Sequence, residues 1–170
     1  GTTSRLTHSQ ASKLCPLYGR GTQRAVLVVA ETIHYRALAR SQLLPSDSVL
    51  EIGVSFGDTT VELARRARTI CGVDNSPLCV ERARSRCSCA RIELMDVIAN
   101  PGQLLTLAKQ AAANVVFIDI GGNRAMDTVI SMLATLQECL VPILVVVKCR
   151  ELHAKTLLYA RGHINSIATR

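Results

Sequence analysis

One stretch, VLEIGVSFGDTT at residues 49–60, constrains the fold of this 170-residue chain more than any other. A short apolar run carries an acid, Glu51, two residues before one glycine, Gly53, and a second glycine follows at Gly57. Asp58 then suits the start of a helix. The stretch predicts a strand, a tight loop and a helix. The glycines stand where the backbone takes a positive φ or approaches a ligand closely.

The rest of the chain continues this alternation of apolar runs and amphipathic segments. Strands are predicted at about 49–53, 69–73, 91–94, 115–119 and 143–147. Helices are predicted at about 22–44, 58–67, 77–87, 101–112, 124–139 and 151–161. Strands that alternate with helices form a parallel sheet covered on both faces, so we expect an α/β, doubly wound protein.

Composition limits the class of protein. Apolar residues make up 48% of the chain, which excludes a disordered protein. Residues 1–21 are polar and are predicted to be an N-terminal arm, whereas residues 22–170 are predicted to form one domain. No uninterrupted apolar run is long enough to cross a membrane, so we expect a soluble protein without a membrane partner.

The cysteines and the net charge indicate the cellular compartment and the kind of partner. The seven cysteines lack paired C-x-x-C spacing, which favours reduced thiols in an intracellular protein and no metal site. The net charge of +7 suits an acidic partner such as nucleic acid, or simply a solvated surface rich in arginine.

Polar residues close all five predicted strands at one edge of the sheet. Each is either an ordinary strand end or part of a ligand site, because ligands of such sheets bind beyond the carboxyl ends of the strands. Asp74 follows the glycine loop by about twenty residues, the spacing of an acid that binds ribose hydroxyls. A nicotinamide dehydrogenase is disfavoured, since the loop lacks the G-x-G-x-x-G pattern.

The E-x-G-x-x-x-G pattern and the downstream acids resemble class I S-adenosylmethionine-dependent methyltransferases over roughly residues 45–150. The resemblance implies a Rossmann-like sheet with strand order 3-2-1-4-5 and S-adenosyl-L-methionine as cofactor. The family usually adds an antiparallel hairpin after the fifth strand, which is missing or reduced here. The fifth strand would then be an open edge, through which a homodimer could form.

The resemblance also implies roles for the glycine loop. Gly53, Ser55 and Gly57 would pass close to the methionine part of the cofactor. Glu51 would support the loop or orient the cofactor's ammonium group. Ser55 replaces a glycine that is common in the family, a small departure.

The adenosine part of the cofactor would lie at the next two strand ends. By the same resemblance, Asp74 would bind both ribose hydroxyls and Asn75 would border the adenine. Asp96 would accept a hydrogen bond from the adenine amine, with Val97 beside the ring.

Asp119 and Lys148 end the fourth and fifth predicted strands and are the candidate catalytic pair. They resemble half of the Lys-Asp-Lys-Glu set of FtsJ-like RNA 2′-O-methyltransferases, whose other lysine and glutamate have no counterpart here. Such a pair would steer and deprotonate a hydroxyl for in-line attack on the methyl group. The chain lacks the paired Asp-Asn of catechol-type enzymes, so metal dependence is not expected.

These features together favour methyl transfer to RNA or another anionic substrate. A small-molecule methyltransferase and a catalytically silent binding or scaffold subunit stay open as alternatives. The helix-end arginines at 65, 66, 68, 84 and 86 are predicted to lie on the face opposite the glycine loop.

Overall fold

The computed structural model describes residues 25–120, 126–140 and 142–168. The predicted arm, residues 1–21, lies outside them. The strands are β1 Ala25–Val29, β2 Ser48–Ile52, β3 Thr69–Asp74, β4 Arg91–Leu94, β5 Val115–Ile118 and β6 Leu144–Lys148. The helices are α1 Thr32–Ser41, α2 Asp58–Ala64, α3 Pro77–Arg86, α4 Pro101–Gln110, α5 Met126–Cys139 and α6 Arg150–Ala168.

The six strands form one parallel sheet with the order β1-β6-β5-β2-β3-β4. The five predicted strands are β2 to β6, and their order is the expected 3-2-1-4-5. The prediction of an α/β, doubly wound, Rossmann-like sheet is therefore confirmed. Strand order reverses between β2 and β5, so the crevice for a ligand lies at the carboxyl ends of these two strands.

The prediction of one helix over residues 22–44 was wrong at its start. Residues Ala25–Val29, with the sequence AVLVV, form β1, and the helix begins only at Thr32. A run rich in β-branched valine packs well on a pleated sheet, and a strand partner overrides its weak helical period.

The expectation of an open edge beside β6 was also wrong. β1 pairs with β6 in parallel, with Ala25 opposite Leu144 and Val29 opposite Lys148. The amide of Cys149 donates to the Val29 carbonyl at 3.0 Å and so extends the pairing. Because β1 covers this edge, the reason for expecting a homodimer there no longer holds.

The sheet carries a hydrophobic core on each face. One face packs against α4 and α5, and the other packs against α1 and α2. All five residues of β2 are buried, as expected of a central parallel strand. Among the residues described, no helix is both long and apolar enough to cross a bilayer.

Candidate active site

The glycine loop between β2 and α2 is packed tightly on both sides. Gly53, Ser55 and Gly57 have φ values of 88°, 49° and 81°, in the left-handed region. A side chain at Gly53 would collide with the carbonyl oxygen of Asp119, and a Cβ at Gly57 would lie 3.0 Å from the Cα of Ala83. Both glycines are therefore required by conformation and by space.

Asp74, at the end of β3, ties this loop to the following turn. Its Oδ2 accepts a hydrogen bond from the Ser55 amide at 2.9 Å, and its Oδ1 accepts one from the Ser76 amide at 3.0 Å. Ser76 in turn caps α3, because its hydroxyl accepts from the Cys79 amide at 3.4 Å. Each carboxylate oxygen has a second lone pair, so Asp74 can still accept bonds from hydroxyl groups of a ligand.

A cavity of about 420 Å³ lies at this edge of the sheet, a volume typical of small-molecule sites. Eight of the ten predicted site residues line it: Gly53, Ser55, Asp74, Asn75, Asp96, Val97, Asp119 and Lys148. The remaining lining residues are Ile52, Val73, Ser76, Cys79, Met95, Ile98 and Ile120. Apart from Ser76 and Cys79, their only signal in the sequence was apolar character in or near a strand end, which many core residues share.

The turn after β4 forms one wall of the cavity. Asp96 Oδ1 accepts from the amides of Ile98 and Ala99 at 3.0 and 3.2 Å, which holds the turn in place. The Met95 amide donates to the Asp74 carbonyl at 2.8 Å, so the ends of β3 and β4 are fixed together. The wall thus combines a carboxylate with the apolar side chains of Met95, Val97 and Ile98.

Two predicted residues, Glu51 and Gly57, are not among those that line the cavity. Gly57 precedes the first turn of α2 and packs against α3. Glu51 is buried beneath the loop, where Thr60 donates a 2.6 Å hydrogen bond to its Oε2. Burial raises the pKa of Glu51 to about 8, against the lowering effect of Thr60. Glu51 therefore lies where it can support the glycine loop from below and act on a group held there.

Glu51 should make stability depend on pH. Its pKa in the folded chain lies above that of the unfolded chain, so the stabilising contribution is complete below pH 4.5 and is lost as pH rises to about 8. Glu51→Gln keeps the shape and removes this loss. As pH rises from 5 to 8.5, the unfolding free energy of wild type should therefore fall by about 3–5 kcal/mol relative to that of the variant, as measured by urea unfolding. Parallel pH dependence of the two proteins would contradict this.

Asp119 and Lys148 meet at the point where strand order reverses. Lys148 Nζ lies 2.7 Å from Asp119 Oδ2, and the two side chains are 23% and 20% exposed. The Asp119 amide donates to the Ile52 carbonyl at 2.8 Å, which places the carboxylate beside the glycine loop. A shielded ion pair that opens into the cavity can orient a polar acceptor group and take up its proton.

The prediction for the helix-end arginines was wrong for Arg86. Its Nη1 lies 2.6 Å from Asp58 Oδ1, at the end of the glycine loop, because α3 packs closely against the start of α2. Arg36, from α1, lies 3.1 Å from the other oxygen of Asp58. These two arginines therefore anchor the loop region.

Comparison with known proteins gives a partial match. No family profile matches the chain. A segment of 64 residues is 39% identical to the probable ribosomal RNA small subunit methyltransferase A of Methanosarcina mazei, and 36% identical to that of Methanosarcina acetivorans. The chain is similar to methyltransferases. This confirms the resemblance seen in its motifs. The match covers 38% of this chain but only 23% of each relative, so the chain spans less than a quarter of their length.

Solved structures of methyltransferases are also similar to the chain. The 23S ribosomal RNA methyltransferase ErmE superposes with a TM-score of 0.46 and 19% identity, covering 69% of this chain and 44% of ErmE. A ribosomal RNA methylase from Streptococcus thermophilus gives a TM-score of 0.49 and 13% identity, covering 79% and 81%. The strand order described above, rather than these scores, defines the fold.

Proposed function

We propose that this chain binds S-adenosyl-L-methionine in the cavity and transfers its methyl group to an RNA. The observation that carries the proposal is the arrangement at the switch point of the sheet. There, a sterically required glycine loop, an acid hydrogen-bonded to that loop and a shielded ion pair surround one cavity. The similarity to ribosomal RNA methyltransferases supports the same activity.

The residues present fit this cofactor. The second lone pairs of the Asp74 oxygens would accept the ribose hydroxyls, and the wall of Met95, Val97 and Ile98 offers apolar surface for the adenine. Asn75 and Asp96 would border the ring. The loop from Gly53 to Gly57, with its positive φ angles, would hold the methionine part. The cofactor supplies an electrophilic methyl group on a sulfonium.

Asp119 and Lys148 would act on the acceptor. Lys148 Nζ holds Asp119 Oδ2, which orients the carboxylate and leaves Oδ1 to take the proton of the acceptor's hydroxyl or amine. The half-buried position of the pair keeps bulk water away from that proton. The contribution of the two residues is therefore to position the acceptor for in-line attack and to accept its proton.

RNA is the favoured acceptor because two observations support it. The chain carries a net charge of +7, and the relatives matched by sequence are named as ribosomal RNA methyltransferases. An RNA substrate also places the protein inside the cell. The binding of a phosphate-rich substrate should weaken steeply with salt, since counterions are released on binding, whereas a small uncharged acceptor would show little salt dependence.

The proposal is tested by incubating the chain with tritiated S-adenosylmethionine and small-subunit ribosomal RNA. Lys148→Met should lower the rate of methyl transfer at least about 100-fold, with the cofactor dissociation constant unchanged within about threefold. Lys109→Met removes the same charge from an exposed end of α4 and should leave the rate unchanged.

Three outcomes would change the proposal. Unaltered transfer by Lys148→Met would remove the ion pair from the mechanism. Transfer to small molecules but not to RNA would favour a small-molecule methyltransferase. Cofactor binding without transfer to any acceptor would favour a silent binding subunit.

A further inference from the structure

Tyr35, on α1, has a buried hydroxyl that the proposed mechanism does not use. The residue is only 1% exposed, and its ring packs edge-on against Phe117 with centroids 5.3 Å apart. Across the described segments, this hydroxyl is the buried side-chain polar atom that has no hydrogen-bond partner. A buried hydroxyl without a partner destabilises the folded chain, so a state that gives it a partner is favoured.

The sheet register places this hydroxyl next to two acids of the site. Phe117 of β5 is the register partner of Glu51 on β2. Side chains two positions apart along a strand share a face, so Asp119 follows Phe117 on the face that α1 covers. Burial raises the pKa of Tyr35 well above its ordinary value, and the charges of Glu51 and then Asp119 raise it further. The hydroxyl therefore lies within the electrostatic reach of both carboxyl groups.

Glu51 needs donors that Thr60 alone does not supply. Thr60 donates one hydrogen bond to Oε2, yet the carboxyl group is completely buried. A buried carboxylate becomes stable when it accepts two or three hydrogen bonds. The charged and titratable groups around Glu51 are Tyr35 and Arg36 on α1, Asp74 on β3, Cys87 at the end of α3 and Asp119 after β5, which pairs with Lys148.

These groups differ in what they can offer to Glu51. Asp74 and Asp119 oppose its ionisation, and Arg36 favours it. Arg36 already lies 3.1 Å from Asp58, and Lys148 lies 2.7 Å from Asp119. The Tyr35 hydroxyl, in contrast, makes no hydrogen bond in this structure, so a shift of the two side chains can bring it to Glu51 without breaking one.

We propose that Tyr35 donates a hydrogen bond to Glu51 when that carboxyl group is ionised, and thereby positions Glu51 to support a cationic group held at the glycine loop. Tyr35 is thus a positioning residue that acts through Glu51. The inference rests on the proposed function in one respect, because the cation would be the ammonium group of the cofactor. The hydrogen bond from Tyr35 to Glu51 would form in the ligand-free chain and does not depend on the proposed function.

The first test follows the ionisation of Glu51 in the ligand-free protein. The carboxyl signal is recorded against pH by ¹³C NMR of glutamate-labelled protein and is assigned by its loss in Glu51→Gln. Tyr35→Phe keeps the ring contact with Phe117 and removes only the hydroxyl. Without this donor, the midpoint should move upward by about one pH unit.

A matched control for this test is Tyr159→Phe, which removes a hydroxyl from an exposed position on α6 and should leave the midpoint in place. Melting temperatures verify that each variant is folded. An unchanged midpoint in folded Tyr35→Phe would overturn the proposal.

The second test uses calorimetric binding of S-adenosylhomocysteine, which carries the same ammonium group. We assume that S-adenosylhomocysteine binds only when Glu51 is ionised. A rise of one unit in the Glu51 pKa, from about 8, then lowers the affinity of Tyr35→Phe about tenfold at pH 7.0 and only about threefold at pH 8.5. A merely structural tyrosine would lower it equally at both pH values. In a Glu51→Gln background, Tyr35→Phe should add no further loss.

The two tests separate the two proposals. If the wild-type chain fails to bind the ligand at either pH, the proposed cofactor site is wrong, and the NMR midpoint alone decides the role of Tyr35. If binding is normal and the loss is independent of pH, the cofactor site stands and the proposal for Tyr35 falls.

Discussion

Replacing Gly53 by alanine is expected to lower the free energy of unfolding by about 3–5 kcal/mol and to abolish cofactor binding. The φ of 88° is strained for any residue with a side chain, and the new Cβ would overlap the Asp119 carbonyl. The end of β5 must therefore move away from the loop, which opens the cavity wall. Urea unfolding monitored by circular dichroism measures the first effect, and calorimetry measures the second.

Gly102→Ala is the matched control for this substitution. Gly102 lies in the first turn of α4, and a Cβ there would meet no atom within 4 Å. Alanine favours helix over glycine by up to about 1 kcal/mol, so this variant should be as stable as wild type or slightly more stable. Equal losses in the two variants would show that the collision at Gly53 is not the cause.

The second large effect is expected at Asp74. Asp74→Ala should weaken S-adenosylmethionine binding at least about 100-fold, or about 2.7 kcal/mol. The variant loses the carboxylate that would accept the ribose hydroxyls, and it frees the Ser55 and Ser76 amides that the same carboxylate holds. Calorimetric titration measures the affinity, and ligand-induced thermal stabilisation checks it independently.

Glu93→Ala serves as the control for Asp74. Glu93 lies on the adjacent strand β4 and pairs with Arg84 and Arg91, away from the cavity. Removing it should leave the affinity unchanged. Micromolar binding by Asp74→Ala equal to that of wild type would refute the ribose role and would leave the ligand of this cavity open.

The sequence predicted the sheet and most of the cavity because both depend on local patterns. The strands β3, β5 and β6 are short apolar runs that end in, or are followed by, a charged residue, and parallel strands bring these ends to one edge. Asp74, Asp96 and Asp119 could therefore be assigned to a common site without any knowledge of packing. The start of α3 at Pro77 was also predicted, and it agrees with the preference for a serine followed by proline at the start of a helix.

What the sequence could not show depends on contacts between distant residues. The run AVLVV at 25–29 fits a helical period and a strand period equally, and only its pairing with β6 decides between them. The wrong expectation of an open edge beside β6 had the same cause, because β1 was predicted to be part of a helix. The contacts of Arg86 with Asp58 and of Tyr35 with Phe117 could not be predicted for a related reason, because the packing of helices brings these residues together.

The pairing of β1 with β6 also determines when this sheet can be completed during synthesis. Ala25 leaves the ribosome before its partner Leu144, and at translation rates of about 5–20 residues per second the delay is about 6–24 s. Throughout this interval the apolar run of β1 has no strand to pair with and is exposed to aggregation. This edge of the sheet can therefore be completed only after β6 has emerged.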